Sequence, residues 1–169
     1  MEKIEENNLA FIDGQNLHLG TKENGWKIDL KRFRIYLKDK YKVSNAYYFL
    51  GCKFEEQLDL YNNLQKVGFL VFMKDHTQGL TSKKKGNVDT DIIFEMMKSH
   101  IEDHNFNKAI LVSGDGDYKK VVEYLISKDK FEKILFPNQK SASSLYYNLG
   151  NNFFDYLDKS GIKENIGYK

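Results

Sequence analysis

Residues 108–118 read KAILVSGDGDY, and the fold follows from how that stretch is understood. The apolar run Ala109-Ile110-Leu111-Val112 stops abruptly at Ser113-Gly114, and two carboxylates, Asp115 and Asp117, follow with only Gly116 between them. This is the pattern of a buried strand that ends in an acidic turn. In a parallel α/β sheet the loops at the carboxyl ends of the strands hold ligands, because helix N-termini and unpaired backbone groups converge there. Asp117 is also placed to cap a helix starting at Tyr118 or Lys119. A capped turn accounts for Asp117 and both glycines but leaves Asp115 without a role. The same design occurs earlier, where Leu9-Ala10-Phe11-Ile12 runs into Asp13-Gly14-Gln15-Asn16. Two apolar strands that both end in carboxylates point to one shared site.

The rest of the chain supplies the elements between and around these strands. After a polar leader at residues 1–8 and the strand at 9–12, residues 15–20 read as a short helical turn or loop. Asp29 caps a helix through about Tyr41, in which Leu30, Phe33, Ile35, Tyr36 and Leu37 follow a helical period. Residues 43–50 form a second strand ending at Gly51. Residues 55–67 form a helix stopped by Gly68, and residues 69–73 a third strand. Residues 74–87 carry His76, two glycines and the run Lys83-Lys84-Lys85 with no hydrophobic period, so a mobile, substrate-engaging loop is expected. A helix over 88–101 has the apolar stripe Ile92, Ile93, Met96 and Met97, with two acids in its first turn. The acidic turn is followed by a helix over 119–127 and a strand over 131–136, which Pro137 closes. Short helices are expected at 141–149 and 153–157, a polar tail at 159–169, and the pairs Met96-Met97 and Tyr146-Tyr147 in the core.

Strands alternating with helices along the whole chain argue for a three-layer α/β/α domain built on a doubly wound, five-stranded, mainly parallel sheet. At 169 residues one domain spanning 1–169 is expected, with no linker. The single cysteine, Cys52, excludes an internal disulfide framework and suits a reducing compartment. No apolar run approaches the ~20 residues of a membrane span, and the leader is charged and polar, so a cytoplasmic protein is expected. The net charge of +2 does not by itself announce a nucleic-acid binder.

Neither G-x-G-x-x-G after the first strand nor G-x-x-x-x-G-K-[ST] is present, so the site is read from its acids. Strands one and four are expected as neighbours where the strand order reverses, which brings Asp13 to Asp115 and Asp117. The helix that begins near Val88 runs into strand four and carries Asp89 and Asp91 to the same edge. Carboxylates crowded in this way raise one another's pKa unless a cation compensates. Hard oxygen ligands select Mg²⁺ or Mn²⁺, ions suited to bridging phosphate oxygens, and the constellation fits metal-assisted phosphodiester hydrolysis. Each acid has a plainer explanation as well: a turn residue at Asp13, helix-dipole stabilisation at Asp89, a solvated helix face at Asp91 and Glu95.

Three motifs in order, FIDGQN after strand one, KKKGNVDTDIIFE entering a helix and LVSGDGDY after strand four, resemble the NYN domain, a branch of the PIN-like nucleases, over most of the chain. The resemblance implies a PIN-like fold and metal-dependent RNA cleavage. It assigns Asp13, Asp89, Asp115 and Asp117 as catalytic, metal-binding acids, and Asn16, Lys85 and Ser113 as polar residues lining the cleft. A family aspartate six residues beyond Asp89 is here Glu95, and a further family acid before a phenylalanine is replaced by Gly150-Asn151-Asn152-Phe153. Lys83, Lys84, Lys119 and Lys120 form a candidate basic rim for the RNA backbone, and Tyr118 either stacks a base or packs on the sheet. The expected partner is RNA, single-stranded, with a homodimer left open. A catalytically silent RNA-binding adaptor is the alternative. A Toprim-like phosphotransfer enzyme ranks below both, because such sites want a glutamate after the first strand and Asp13 stands there.

Overall fold

The computed structural model describes residues 5–51, 58–74 and 88–169. Within them the chain forms β1 (Asn8–Asp13), α1 (Gly14–Glu23), α2 (Leu30–Tyr41), β2 (Val43–Leu50), α3 (Leu58–Lys66), β3 (Phe69–Met73), α4 (Asp89–Glu102), β4 (Ala109–Val112), α5 (Lys119–Ser127), β5 (Phe131–Phe136), β6 (Phe154–Tyr156) and α6 (Ser160–Ile166). One sheet contains all six strands in the order β3-β2-β1-β4-β5-β6, and every neighbouring pair is parallel.

The two central strands, β1 and β4, are buried along their whole length, which is why both read as unbroken apolar runs and not as alternating patterns. Each fully buried Leu, Ile or Phe contributes ~1.5–3 kcal/mol, so the strands that end in acids are firmly anchored. Leu17 of α1, Phe33 and Leu37 of α2, Leu64 of α3 and Ile166 of α6 pack on one face of the sheet. Ile92 and Met96 of α4 and Val121, Val122 and Leu125 of α5 pack on the other. The amino ends are clamped by the buried Asn8, whose side chain donates to the Tyr41 carbonyl at 2.7 Å and accepts from the Lys108 amide at 3.0 Å.

Local signals set the boundaries. Asp29 caps α2 by accepting from the Arg32 amide at 3.1 Å. Gly68, at φ +97°, turns the chain out of the α3 region into β3 in a conformation that L side chains rarely adopt.

The sheet has six strands where five were expected, because Phe154–Tyr156 pairs with β5 as an edge strand and is not a helix. Three residues are too short to declare a period, and burial beside Phe136 decides the matter: the Phe136 ring lies 5.7 Å from Phe154 and 5.5 Å from Tyr156. Residues 15–20 belong to a full helix, α1. The helix expected at 141–149 is a 3-10 segment over Ser144–Leu149, in which Tyr146 is buried but Tyr147 is 51% exposed and outside the core. The polar tail includes α6, and its buried Ile166 explains the helix where composition alone shows only polarity. Residues 75–87, with His76, Lys83, Lys84 and Lys85, lie outside the described residues, as do Cys52 and the expected start of α3 at 55–57.

Candidate active site

Strand order reverses between β1 and β4, from which the chain proceeds outward to β2 and β3 on one side and to β5 and β6 on the other. Ile12 pairs with Val112, so Asp13 and Ser113 leave the sheet side by side at its carboxyl edge. The two turns are then tied together. The Asp13 carboxylate accepts from the Asn16 amide at 3.1 Å and starts α1. The Asn16 side-chain oxygen in turn accepts from the Gly114 amide at 2.8 Å, across 98 residues of sequence. Ser113, fully buried, accepts from the Asp115 amide at 3.2 Å. Asn16 and Ser113, which the resemblance placed in the cleft, thus hold backbone on either side of it.

The acidic turn is shaped from within. Asp115, and not Asp117, is the capping residue: its side chain accepts from the Asp117 amide at 3.0 Å to open a 3-10 turn, Gly116–Tyr118, that leads into α5. That correction supplies the role Asp115 lacked and frees the exposed Asp117 carboxylate. Gly116 is closely packed: a Cβ there would stand 2.7 Å from the side-chain ends of both Leu145 and Ser143, which would have to shift. The Gly114 carbonyl accepts from the Ser143 amide at 3.0 Å, and the Tyr146 hydroxyl donates to the Asp115 carbonyl. Gly14 meets the same constraint at the other turn, where a Cβ would lie 2.5 Å from the Tyr48 ring and 2.7 Å from the Phe49 carbonyl.

Asp89, in the first turn of α4, completes the arrangement. Asp89, Asp115 and Asp117 each present an oxygen within 4.8 Å of the others. Asp13 stands behind them, 5% exposed, and its connection to the cluster is Tyr118. The Tyr118 hydroxyl, fully buried, lies 2.7 Å from an Asp89 oxygen and 3.1 Å from an Asp13 oxygen. Tyr118 packs on the sheet, as one of its two sequence readings had it, but its hydroxyl makes it a member of the site that sequence reasoning missed. The available signal was its position directly after the acidic turn, since a buried tyrosine needs a partner for its hydroxyl.

The electrostatics are those of crowded carboxylates. Burial pushes the Asp13 carboxyl above its ordinary value, with the charges of Asp89 and Asp115 adding to the effect and the bonds from Asn16 and Tyr118 opposing it. The charge of Asp115 is the first cause that raises Asp117, followed by desolvation and the nearby Asp89. Burial, and then the charge of Asp13, raises the Tyr118 phenol, so it stays protonated. A phenol has one proton to give. The contact to Asp89 is the shorter of the two, and Asp13 accepts from the same hydroxyl, so the two carboxylates share one donor.

The remaining candidates lie around this centre. Asp91 and Glu95 do not join the three-carboxylate group; they line a separate pocket of about 360 Å³ on the β3 side of α4. Lys119 pairs with Glu123 at 3.5 Å in the first turn of α5, and Lys120 beside it is exposed. Residues 150–153 carry no acid; Asn151–Phe153 forms a 3-10 turn with Asn151 and Asn152 exposed.

Oxygen-only donors gathered around a convergent point suit a hard divalent cation such as Mg²⁺ or Mn²⁺, and nothing in the set calls for a softer metal. No helix among the described residues is long and apolar enough to cross a membrane.

Comparison with known proteins shows the family and the fold. The chain is 29% identical over 127 residues to the low amplitude and bright protein LabA of Synechococcus elongatus, covering 70% of this chain and 67% of that protein. It superposes with a TM-score of 0.72 and 20% identity on a crystal structure of a protein of unknown function from Vibrio parahaemolyticus, over 99% of this chain and 100% of that one. The family model of the NYN domain matches residues 9–157, which takes in both acidic turns and the start of α4, and the chain therefore belongs to the NYN domain family of PIN-like nucleases.

Proposed function

We propose that this protein is a divalent-metal-dependent endoribonuclease that hydrolyses phosphodiester bonds of single-stranded RNA. NYN nuclease domains act on RNA. The observation that carries the reading for this chain is the convergence of Asp89, Asp115 and Asp117 within 4.8 Å at the point where strand order reverses. These three carboxylates would hold Mg²⁺ or Mn²⁺, with Asp13 reaching the cluster through Tyr118. A bound ion of this kind lowers the pKa of water and neutralises charge on the phosphoryl oxygens. The chain's own residues do the positioning: Asn16 and Ser113 fix the two turns, Tyr146 holds the Asp115 carbonyl, and Tyr118 orients Asp89 while keeping water from Asp13. Lys119 and Lys120 lie on the flank where an RNA backbone would pass.

The absence of an acid at residues 150–153 favours the second reading, a silent RNA-binding adaptor. Incubating 5′-labelled single-stranded RNA with wild type and Asp115→Asn, in Mn²⁺ and in EDTA, separates the two. The nuclease reading expects cleavage that needs both Mn²⁺ and Asp115. Binding without any cleavage favours the adaptor.

A further inference from the structure

The pocket on the β3 side of α4 has no part in the arrangement described above. Its walls are apolar and partly aromatic: Phe72 stacks on the buried Phe49 with centroids 5.1 Å apart at 18°, Leu50, Met73 and Val88 add aliphatic surface, and Phe94 stands at the edge as the exposed ring, 60% exposed. Among the described residues its charged lining is Asp91 and Glu95, one helical turn apart on α4, and Lys74. At about 360 Å³ it falls in the range of small-molecule sites and has room for a purine. Asp89 is two residues from Asp91, so the three-carboxylate cluster and the pocket flank opposite sides of the same helix end, about one helix diameter (~10 Å) apart.

We propose that this pocket is a nucleobase subsite that selects guanine at a fixed position near the scissile phosphate. The proposal rests on RNA being the substrate. Two carboxylates against the one lysine leave the described lining net negative and disfavour a phosphate, so the part of an RNA strand that enters is a base, and single-stranded RNA is read by unstacking bases onto aromatic rings and bonding their Watson–Crick edges. A carboxylate only accepts. Guanine presents N1–H and the exocyclic N2–H side by side and satisfies one carboxylate with two near-parallel bonds, the geometry that makes such pairs strong. Adenine and cytosine each offer an amino donor beside a ring nitrogen that accepts. Uracil offers one N–H between two carbonyl oxygens, which the carboxylates repel. The order expected is guanine first, adenine and cytosine next, uracil last.

The test uses 5′-fluorescein oligouridines with a single central G, A, C or U. Binding is read by anisotropy without divalent cation, and cleavage is read separately in Mn²⁺. The G oligonucleotide should bind at least ~tenfold more tightly than the all-U one, since a bidentate base contact commonly discriminates by that much or more. Glu95→Gln and Asp91→Asn should each move that ratio toward one. Equal affinity for all four, no binding to any, or a G preference untouched by both variants overturns the proposal. Cleavage with no base preference in binding removes the guanine subsite and leaves the nuclease standing. A G preference that depends on Glu95 or Asp91 without any cleavage supports the subsite and removes the nuclease.

Discussion

Replacing Tyr118 with phenylalanine removes one oxygen atom from a fully buried position and leaves the ring to fill its space. Two contacts disappear, 2.7 Å to Asp89 and 3.1 Å to Asp13. Asp89 is half-exposed and regains water, whereas Asp13, at 5% exposure, does not. A hydrogen bond to a charged group is worth about 1.5–3 kcal/mol, and a buried acceptor left unsatisfied costs a comparable amount. With partial rehydration on the Asp89 side, the loss is put at ~1–3 kcal/mol. At ~2–4 °C per kcal/mol for a chain of this length, the melting temperature should fall by ~2–12 °C. Asp89 also loses the group that orients it, and the loss of an outer partner of a metal-binding carboxylate commonly weakens metal affinity by ~10–100-fold. Thermal unfolding followed by circular dichroism, and a calorimetric Mn²⁺ titration, measure the two effects on the same sample. An unchanged melting temperature together with wild-type Mn²⁺ affinity would refute the account of Tyr118 as the connection between Asp13 and the cluster.

Three further outcomes follow from the same geometry. Millimolar Mn²⁺ or Mg²⁺ should raise the melting temperature, by the equivalent of about 2.7 kcal/mol at a hundredfold excess over the dissociation constant, and the gain should shrink in Asp13→Asn and more in Asp115→Asn; no gain in wild type counts against a metal site. Asp117→Asn, an exposed change that retains the side chain's shape, should abolish RNA cleavage while leaving the circular dichroism spectrum unchanged; full activity would sink the mechanism. Asp13 and Asp117 are both raised above the ordinary 3.8, so the folded state binds more protons than the unfolded one, and their contribution to stability falls as pH rises from 3.8 through their folded values. Without metal, the melting temperature of wild type relative to Asp13→Asn should therefore decline across that window, which thermal scans from about pH 4 to about pH 7 will show or deny.

The parts of the fold that were legible in the sequence are those whose burial is complete. β1 and β4 are covered on both faces, so their residues form unbroken apolar runs, and α2 is bounded by Asp29, whose carboxylate makes the expected cap. Legibility fails where one neighbour decides the structure. Residues 154–156 are a strand because β5 offers an open edge, and three residues carry no period that announces it. α6 is held by Ile166 against the layer formed by α2, and by the backbone bridge between Ile28 and Gly167. A polar heptapeptide with one buried side chain looks like a tail when it is read alone.

The site was legible through its acids because topology needs little else to gather them: two apolar strands, each ending in a carboxylate, become neighbours wherever strand order reverses between them. The division of labour among those acids was not legible. Sequence treats Asp13, Asp89, Asp115 and Asp117 as equivalents, yet Asp13 is buried and already occupied by an amide and a phenol, while the other three present oxygens to one another. Tyr118 joins the two groups: it ends the 3-10 turn that Asp115 opens, its ring is buried, and its hydroxyl reaches both Asp13 and Asp89. Asp115 shapes the turn by accepting from the Asp117 amide while still lying within reach of Asp89 and Asp117, so the acid that a capped turn at Asp117 left unexplained both opens the turn and belongs to the cluster.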